Sequence, residues 1–275
     1  MATPVYEGIS CVPTEDWLEL NIRAAREDPS LRQDVAPFPP AHLMQVVSGL
    51  TSEAEFAVRG ATIYRAIQNA SPVPLNAFKS ILDFGCGCGG LSRLFKGHPG
   101  QVTGCDIDGR LIEWVDANLD FMRAVQTQPN EKLPFGDDAF DAVISNSVFT
   151  HLNEASQEFY LNELSRVSRP GASLFLTVHG DRALERAQNE EQIFNMIDIA
   201  AEELDGAAST MRQGLHSFVL QRHGHLTSEH YDYGITFIPK AYLQSVWPKY
   251  FDIVDIVDGA IDDWQDIVVC RKRGV

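Results

Sequence analysis

The sequence predicts an α/β protein with a doubly wound, mostly parallel sheet, and three observations carry that prediction. From Ile81 onward, short β-branched runs alternate with helical patterns. The first run ends in a glycine-rich turn, SILDFGCGCGG, beginning at Ser80. The chain closes on two further runs, YFDIVDIVDG and DWQDIVVCRK, which read as a hairpin and so make the last strand antiparallel.

The elements follow in order. TEDWLELNIRAARED from Thr14 has helical spacing, and Pro37-Phe38-Pro39-Pro40 breaks the chain after it. Ser52 and Glu55 have the spacing of a capping box, and Phe56, Ile63, Tyr64 and Ile67 continue on one helical face. The strands expected next are SILDFG, QVTGCDID, FDAVISNSV and ASLFLTVHG, with helices at LIEWVDANL and at EASQEFYLNELSRV, the latter capped by Asn153. Strand, helix, strand at this spacing means right-handed crossovers and a sheet covered on both faces. The expected divisions are an N-terminal helical lid at 1–75 and a core at 76–180. A cap follows at 181–236, with one or two helices and a polar stretch, and the last helix, opened by Pro239, and two strands fill 237–275.

Composition narrows the function. The 275 residues are 44% hydrophobic and 22% charged, with no apolar run long enough to span a membrane. The start, MATPVYEGIS, lacks the basic and apolar parts of a secretion signal, so a cytoplasmic location is expected. A net charge of −16 disfavours a nucleic acid partner, and Arg271-Lys272-Arg273 reads as a solvated tail. The five scattered cysteines imply no disulfide framework, and Cys86-Gly-Cys88 lacks zinc-ligand spacing, so no metal is expected.

A glycine turn after a buried strand admits a ligand close to the backbone. Asp106 ends the next strand, where a carboxylate can accept hydrogen bonds from ribose hydroxyls. An adenosine-containing cofactor follows, in two readings. Gly85-x-Gly87-x-x-Gly90 fits a dinucleotide and an NAD(P)-dependent oxidoreductase. Asp83-x-Gly85-x-Gly87-x-Gly89 fits S-adenosyl-L-methionine, because an acid there meets a cationic amino-acid end and repels a pyrophosphate.

ILDFGCGCG, GCDID, LPFGDDAFDAVISNSVFTHL and LSRVSRPGASLFLTVHG, in that order, resemble the motifs of class I S-adenosylmethionine-dependent methyltransferases, nearest the branch acting on small metabolites and sugars. The resemblance implies a Rossmann-like sheet of seven strands, S-adenosyl-L-methionine as cofactor and S-adenosyl-L-homocysteine as product. It places Gly85, Cys86, Gly87 and Gly89 in backbone contact with the cofactor and Asp83 near its methionine amino group. Asp106 would hold the ribose hydroxyls and Ile107 the adenine face. Ser145, Asn146 and Ser147 would line the methionine side. Many relatives carry Asp before LPF, whereas this chain has Pro129-Asn130-Glu131, leaving Asn130 or Glu131 to reach the adenine. A methyltransferase homologue that binds cofactor without turnover is a further alternative.

Transfer to a hydroxyl needs a positioned acceptor and a base. Histidine is the natural base near neutral pH. His151 follows the fourth strand and His179 the fifth, on the face where open α/β sheets bind ligands. RHGHLTSEHYDYG adds His223, His225, His230, Tyr231 and Tyr233, of which His230 or Tyr233 would assist deprotonation. Asp262, Asp263 and Asp266 read as surface charges. The expected partner is a small-molecule acceptor, with no nucleic acid and no membrane, and with homodimerisation left open.

Overall fold

A computed structural model describes residues 8–221 and 232–274. Contacts divide the chain into two compact units, Met1–Thr127 and Gln128–Val275. Seven strands make up the mostly parallel, Rossmann-like sheet that the sequence predicts, its antiparallel member being the last in the chain. No helix among the described residues is long and apolar enough to cross a membrane.

The first unit begins with α1 (Thr14–Arg26), α2 (Ala41–Ser48) and α3 (Glu53–Ala70). Trp17 of α1 is fully buried and donates its indole N–H to the Leu94 carbonyl at 2.8 Å. Ser52 caps α3 by accepting from the Glu55 amide at 3.5 Å, one arm of the expected capping box. Three parallel strands follow, β1 (Ser80–Phe84), β2 (Gln101–Asp106) and β3 (Arg123–Gln126), in the order β3-β2-β1. α4 (Gly109–Asn118) joins β2 to β3, capped by Asp108, whose carboxylate accepts from the Arg110 amide at 3.0 Å.

No α-helix joins β1 to β2. Between β1 and β2 the chain makes only a 3-10 turn, Ser92–Phe95. Gly89 and Gly90 precede it and Gly97-His98-Pro99-Gly100 follow it, so the intervening residues are too few and too interrupted for α-helix. N-terminal residues cover the turn instead. A Cβ on Gly60 of α3 would lie 2.7 Å from the Gly90 carbonyl oxygen, and one on Gly90 would lie 3.1 Å from the Phe56 ring. Arg93, buried, lays its guanidinium 3.7 Å from the centre of the Phe38 ring and donates to the Ala36 carbonyl at 2.5 Å.

The second unit contains β4 (Phe140–Ser145), α5 (Glu154–Val167) and β5 (Ser168–Val178). Asn153 caps α5, accepting from the Ser156 amide at 2.9 Å. Then come α6 (Asp181–Asn189), α7 (Glu191–Ile197), α8 (Ala201–Arg212), β6 (Ser217–Leu220), β7 (Gly234–Phe237), α9 (Lys240–Val246), β8 (Asp252–Ile261) and β9 (Gln265–Arg271). The strands run β4-β5-β9-β8, with β9 antiparallel to both neighbours. The insertion is more ordered than its polarity suggests. Its described residues hold three helices and an antiparallel β6-β7 pair, around a core that includes Leu184, Leu204, Met211, Ile235 and Phe237.

Two expectations about charge are corrected. Asp266 is buried, 1% exposed, and accepts from the Gly259 amide at 2.8 Å, because β9 carries it into the sheet; Asp262 and Asp263 stay exposed. The basic tail is tied down. Lys272 donates to the Ser165 hydroxyl at 2.6 Å and Arg273 to Asp252 at 2.7 Å and the Phe251 carbonyl at 3.1 Å.

Candidate functional site

In the first unit, the glycine turn leaves β1 with Gly85, Gly87 and Gly89 all in the left-handed region, φ 78°, 54° and 79°. Only glycine enters it without strain, so the sequence makes the turn here and nowhere else in the strand. The Gly85 and Cys86 amides both donate to the Cys105 carbonyl, at 2.8 and 3.0 Å, which holds the turn against the end of β2. Asp106 completes the arrangement. One carboxylate oxygen accepts from the Gly87 amide at 2.9 Å and the other from the Asp108 amide at 3.0 Å. Each oxygen keeps a lone pair for a further donor. Burial raises the Asp106 carboxyl above the ordinary range, with the two amide bonds opposing that rise. Ile107 is half-buried beside it.

Asp83 lies beneath the turn, 2% exposed, and accepts from the Ser92 hydroxyl at 2.5 Å. Burial pushes its carboxyl up to about 6, against the Ser92 bond and with help from Asp106. The cysteines are packing groups. A Cβ on Gly104 would sit 2.8 Å from Cys86 Sγ, so the thiol fills the space a side chain at 104 would need. Cys88 is fully buried among Leu43, Met44, Phe56 and Leu111. Burial raises both thiols, so neither is a thiolate at neutral pH. All five cysteines are free, and no group of three or more potential ligands among the described residues could hold a metal ion.

In the second unit, Ser145, Asn146 and Ser147 leave the end of β4. Ser147 is left-handed at φ 57° and is held on both sides. Its amide donates to the Thr177 hydroxyl at 2.8 Å, and its own hydroxyl accepts from the Gln265 amide group at 2.6 Å. Ser145 Oγ and Asn146 Oδ1 are buried and have no hydrogen-bond partner among the described residues. Asn130, φ 56°, donates its amide to the Tyr160 hydroxyl at 2.9 Å, while the side chains of Asn130 and Glu131 are exposed. The LPF block behind them is a structural device. Arg166 pairs with Glu163 at 2.7 Å and Asp137 at 2.8 Å and donates to the Leu133 and Phe135 carbonyls.

Two of the expected histidines meet. His151 Nδ1 donates to the Gly234 carbonyl at 2.7 Å, and Nε2 lies 3.3 Å from the Tyr233 hydroxyl. The Tyr233 ring stacks on His151 at 4.6 Å between centroids, and burial pushes the phenol up to about 12. His179, 3% exposed, donates from Nδ1 to the Thr236 carbonyl at 3.2 Å and packs 4.7 Å from the Trp264 ring. Burial, with His151 beside it, pushes His179 down to about 3, so it stays neutral across the physiological range. His223, His225, His230 and Tyr231 lie outside the described residues.

Sequence reasoning passed over Ser92, Thr177, Gly234 and Gln265. Their signal is position: Thr177 and Gln265 sit at the carboxyl edge of the sheet, Gln265 being a polar residue opening an apolar strand. Ser92 and Gly234 carry none in the sequence, since each acts through chain brought beside it by folding.

Comparison with known proteins agrees with this layout. Residues 82–176 match a family model described as a methyltransferase domain. The malonyl-[acyl-carrier protein] O-methyltransferase of Enterobacter lignolyticus (strain SCF1) is 32% identical over 149 residues, 51% of this chain and 57% of that protein. Among curated relatives it matches, the chain spans only part of the length, 57%, 38% and 41% in three of them. A protein of Pyrococcus horikoshii OT3 shares the fold with TM-score 0.58 at 17% identity, over 80% of this chain and 92% of that one. So does the 1,6-didemethyltoxoflavin-N1-methyltransferase of Burkholderia thailandensis, solved with 1,6-didemethyltoxoflavin and S-adenosylhomocysteine, with TM-score 0.54 at 15% identity over 87% and 93%.

Proposed function

We propose that this protein is a methyltransferase that moves the methyl group of S-adenosyl-L-methionine to a hydroxyl oxygen of a small molecule, a sugar or another secondary metabolite. The observation that carries the acceptor reading is the His151–Tyr233 pair, an imidazole that donates from Nδ1 to a backbone carbonyl and meets a phenol at Nε2. The residues also fit the cofactor. The glycine turn leaves no side chain in a ligand's way, Asp106 keeps two lone pairs for ribose hydroxyls, and Ser145 and Asn146 present buried, unpartnered oxygens.

In this reading Gly85, Cys86, Gly87 and Gly89 meet the cofactor through backbone, and Ile107 covers the adenine. The bound cofactor supplies a methyl group already activated on a sulfonium. The chain's own work is to position the acceptor and take its proton. His151 Nε2 is the base, either directly or through Tyr233, which stays protonated and so donates to it. His179, held neutral by burial, shapes the acceptor side beside Trp264. The N-terminal residues that pack on the glycine turn form a lid, and the insertion at 181–236 recognises the acceptor. Relatives named as demethylmenaquinone and tocopherol methyltransferases support a small-molecule acceptor, another is named as a tRNA methyltransferase, and the net charge of −16 favours the former over nucleic acid.

Thermal unfolding with S-adenosylhomocysteine and with NAD tests the cofactor. A rise in Tm with the former alone is expected, and a rise with NAD alone would overturn the assignment in favour of an oxidoreductase. Mass spectrometry of S-adenosylhomocysteine formed over a panel of hydroxylated and amine acceptors tests the transfer. Methylation confined to amines would remove the hydroxyl reading, and tight cofactor binding with no product on any acceptor would point to the non-catalytic homologue.

A further inference from the structure

Three buried polar oxygens cluster in sequence and topology at the carboxyl edge of the second unit's strands without hydrogen-bond partners among the described residues: Ser145 Oγ, Asn146 Oδ1 and Gln265 Oε1. Ser145 is fully buried and Gln265 is 4% exposed. β9 runs antiparallel to β5 with Asp266 opposite Val178, so Gln265 lies one residue past the end of β5. Its amide nitrogen is committed to the Ser147 hydroxyl at 2.6 Å. The other arm of the amide is a buried acceptor with no donor among the described residues. Such an atom costs free energy unless a ligand or an ordered water satisfies it.

The chemistry of the set says what satisfies it. Two of the three are amide oxygens, which only accept, and the third is a hydroxyl that can accept. A carboxylate or phosphate would face oxygen lone pairs and be repelled. A group with several N–H donors and a positive charge is complementary. We propose that Gln265 is a cofactor-binding residue, and that its Oε1, with Asn146 and Ser145, takes the ammonium group of the methionine end of S-adenosylmethionine. This rests on the cofactor reading above and adds to it a residue from the last strand. Gln265 has two tasks: its nitrogen holds Ser147 in the left-handed conformation, and its oxygen receives the ligand.

Calorimetric titration of the full chain with S-adenosylhomocysteine and with 5′-methylthioadenosine, which shares the adenosine and sulfur but has no amino-acid end, tests the assignment. Gln265→Met is expected to weaken S-adenosylhomocysteine by about tenfold or more while leaving 5′-methylthioadenosine within about twofold. Gln265→Glu keeps an acceptor and is expected to retain the wild-type ratio of the two affinities. If Gln265→Met does not fold, Asn146→Leu at its half-buried position reads the same ratio. An equal loss for both ligands, or no loss for either, would overturn the assignment and leave Gln265 as a brace for Ser147. Wild-type protein that binds neither compound would sink the cofactor reading itself, and this inference with it.

Discussion

The amide of Gly87 donates to Oδ2 of Asp106 at 2.9 Å, so one carboxylate both closes the glycine turn and stands where ribose hydroxyls are expected. Asp106→Asn keeps the size and one acceptor oxygen but removes the charge and turns an NH2 toward one of the two amides. We expect S-adenosylhomocysteine affinity to fall by about 10- to 100-fold, the range of a lost hydrogen bond to a charged group. Unchanged affinity by calorimetry would remove Asp106 from the site.

Gly87 has two reasons to be glycine, and they separate experimentally. Its φ of 54° costs any other residue about 1–2 kcal/mol, and a Cβ there would lie 2.9 Å from Val47 Cγ1 of α2. Gly87→Ala is therefore expected to destabilise by more than the conformational part alone. Adding Val47→Ala should recover the steric part only. Denaturant unfolding in which the double variant is as stable as wild type would show that the backbone term is absent.

Asp83 makes stability depend on pH in an unusual direction. Its folded carboxyl is raised from 3.8 to about 6, so the folded state binds the proton more tightly than the unfolded chain. Its contribution is fully present below 3.8 and is lost as pH rises through about 6, a swing of about 3 kcal/mol at most. His179, pushed down to about 3, acts oppositely, favouring the fold above 6.5 and losing that contribution on acidification. The two are separated by difference. Relative to Asp83→Asn, which keeps an acceptor for Ser92, wild type should gain stability between pH 6.5 and 4. A difference that does not change over that window would contradict the burial of a charged Asp83.

The cysteines predict a simple titration. Cys11 is exposed and Cys86, Cys88, Cys105 and Cys270 are buried with raised thiol values. A chromogenic disulfide reagent should count one thiol in the native protein and five in denaturant. Rapid reaction of two or more native thiols would reopen a redox role for Cys86 and Cys88.

Much of this layout is legible in the chain because it depends on local rules. The alternation of β-branched runs and amphipathic helices marks β1, β2, β4, β5 and their neighbours, and Ser52 and Asn153 mark helix starts. The glycines mark the turn because three left-handed residues in five cannot be carried otherwise. What escapes is set by distant chain. β3 is four residues with no fully buried position, and β6 is equally short, so neither has a pattern to read. The single 3-10 turn at SRLF is set the same way, since α3 and Phe38 pack beside it. His179 has the same side chain in the sequence as His151, yet burial against Trp264 and Phe237 lowers it to about 3. Desolvation of that kind has no local signature.

The short 3-10 turn after the glycine loop bears on how the reaction would end. A full helix starting there would aim roughly half a positive charge at the bound ligand. A single 3-10 turn supplies little of it, leaving the carboxylates of Asp83 and Asp106 to dominate the local field. That field favours a sulfonium over the neutral thioether left once the methyl has gone. On the proposed cofactor reading, that field would hold the charged substrate more tightly than the spent product, so that transfer of the methyl would itself ease release.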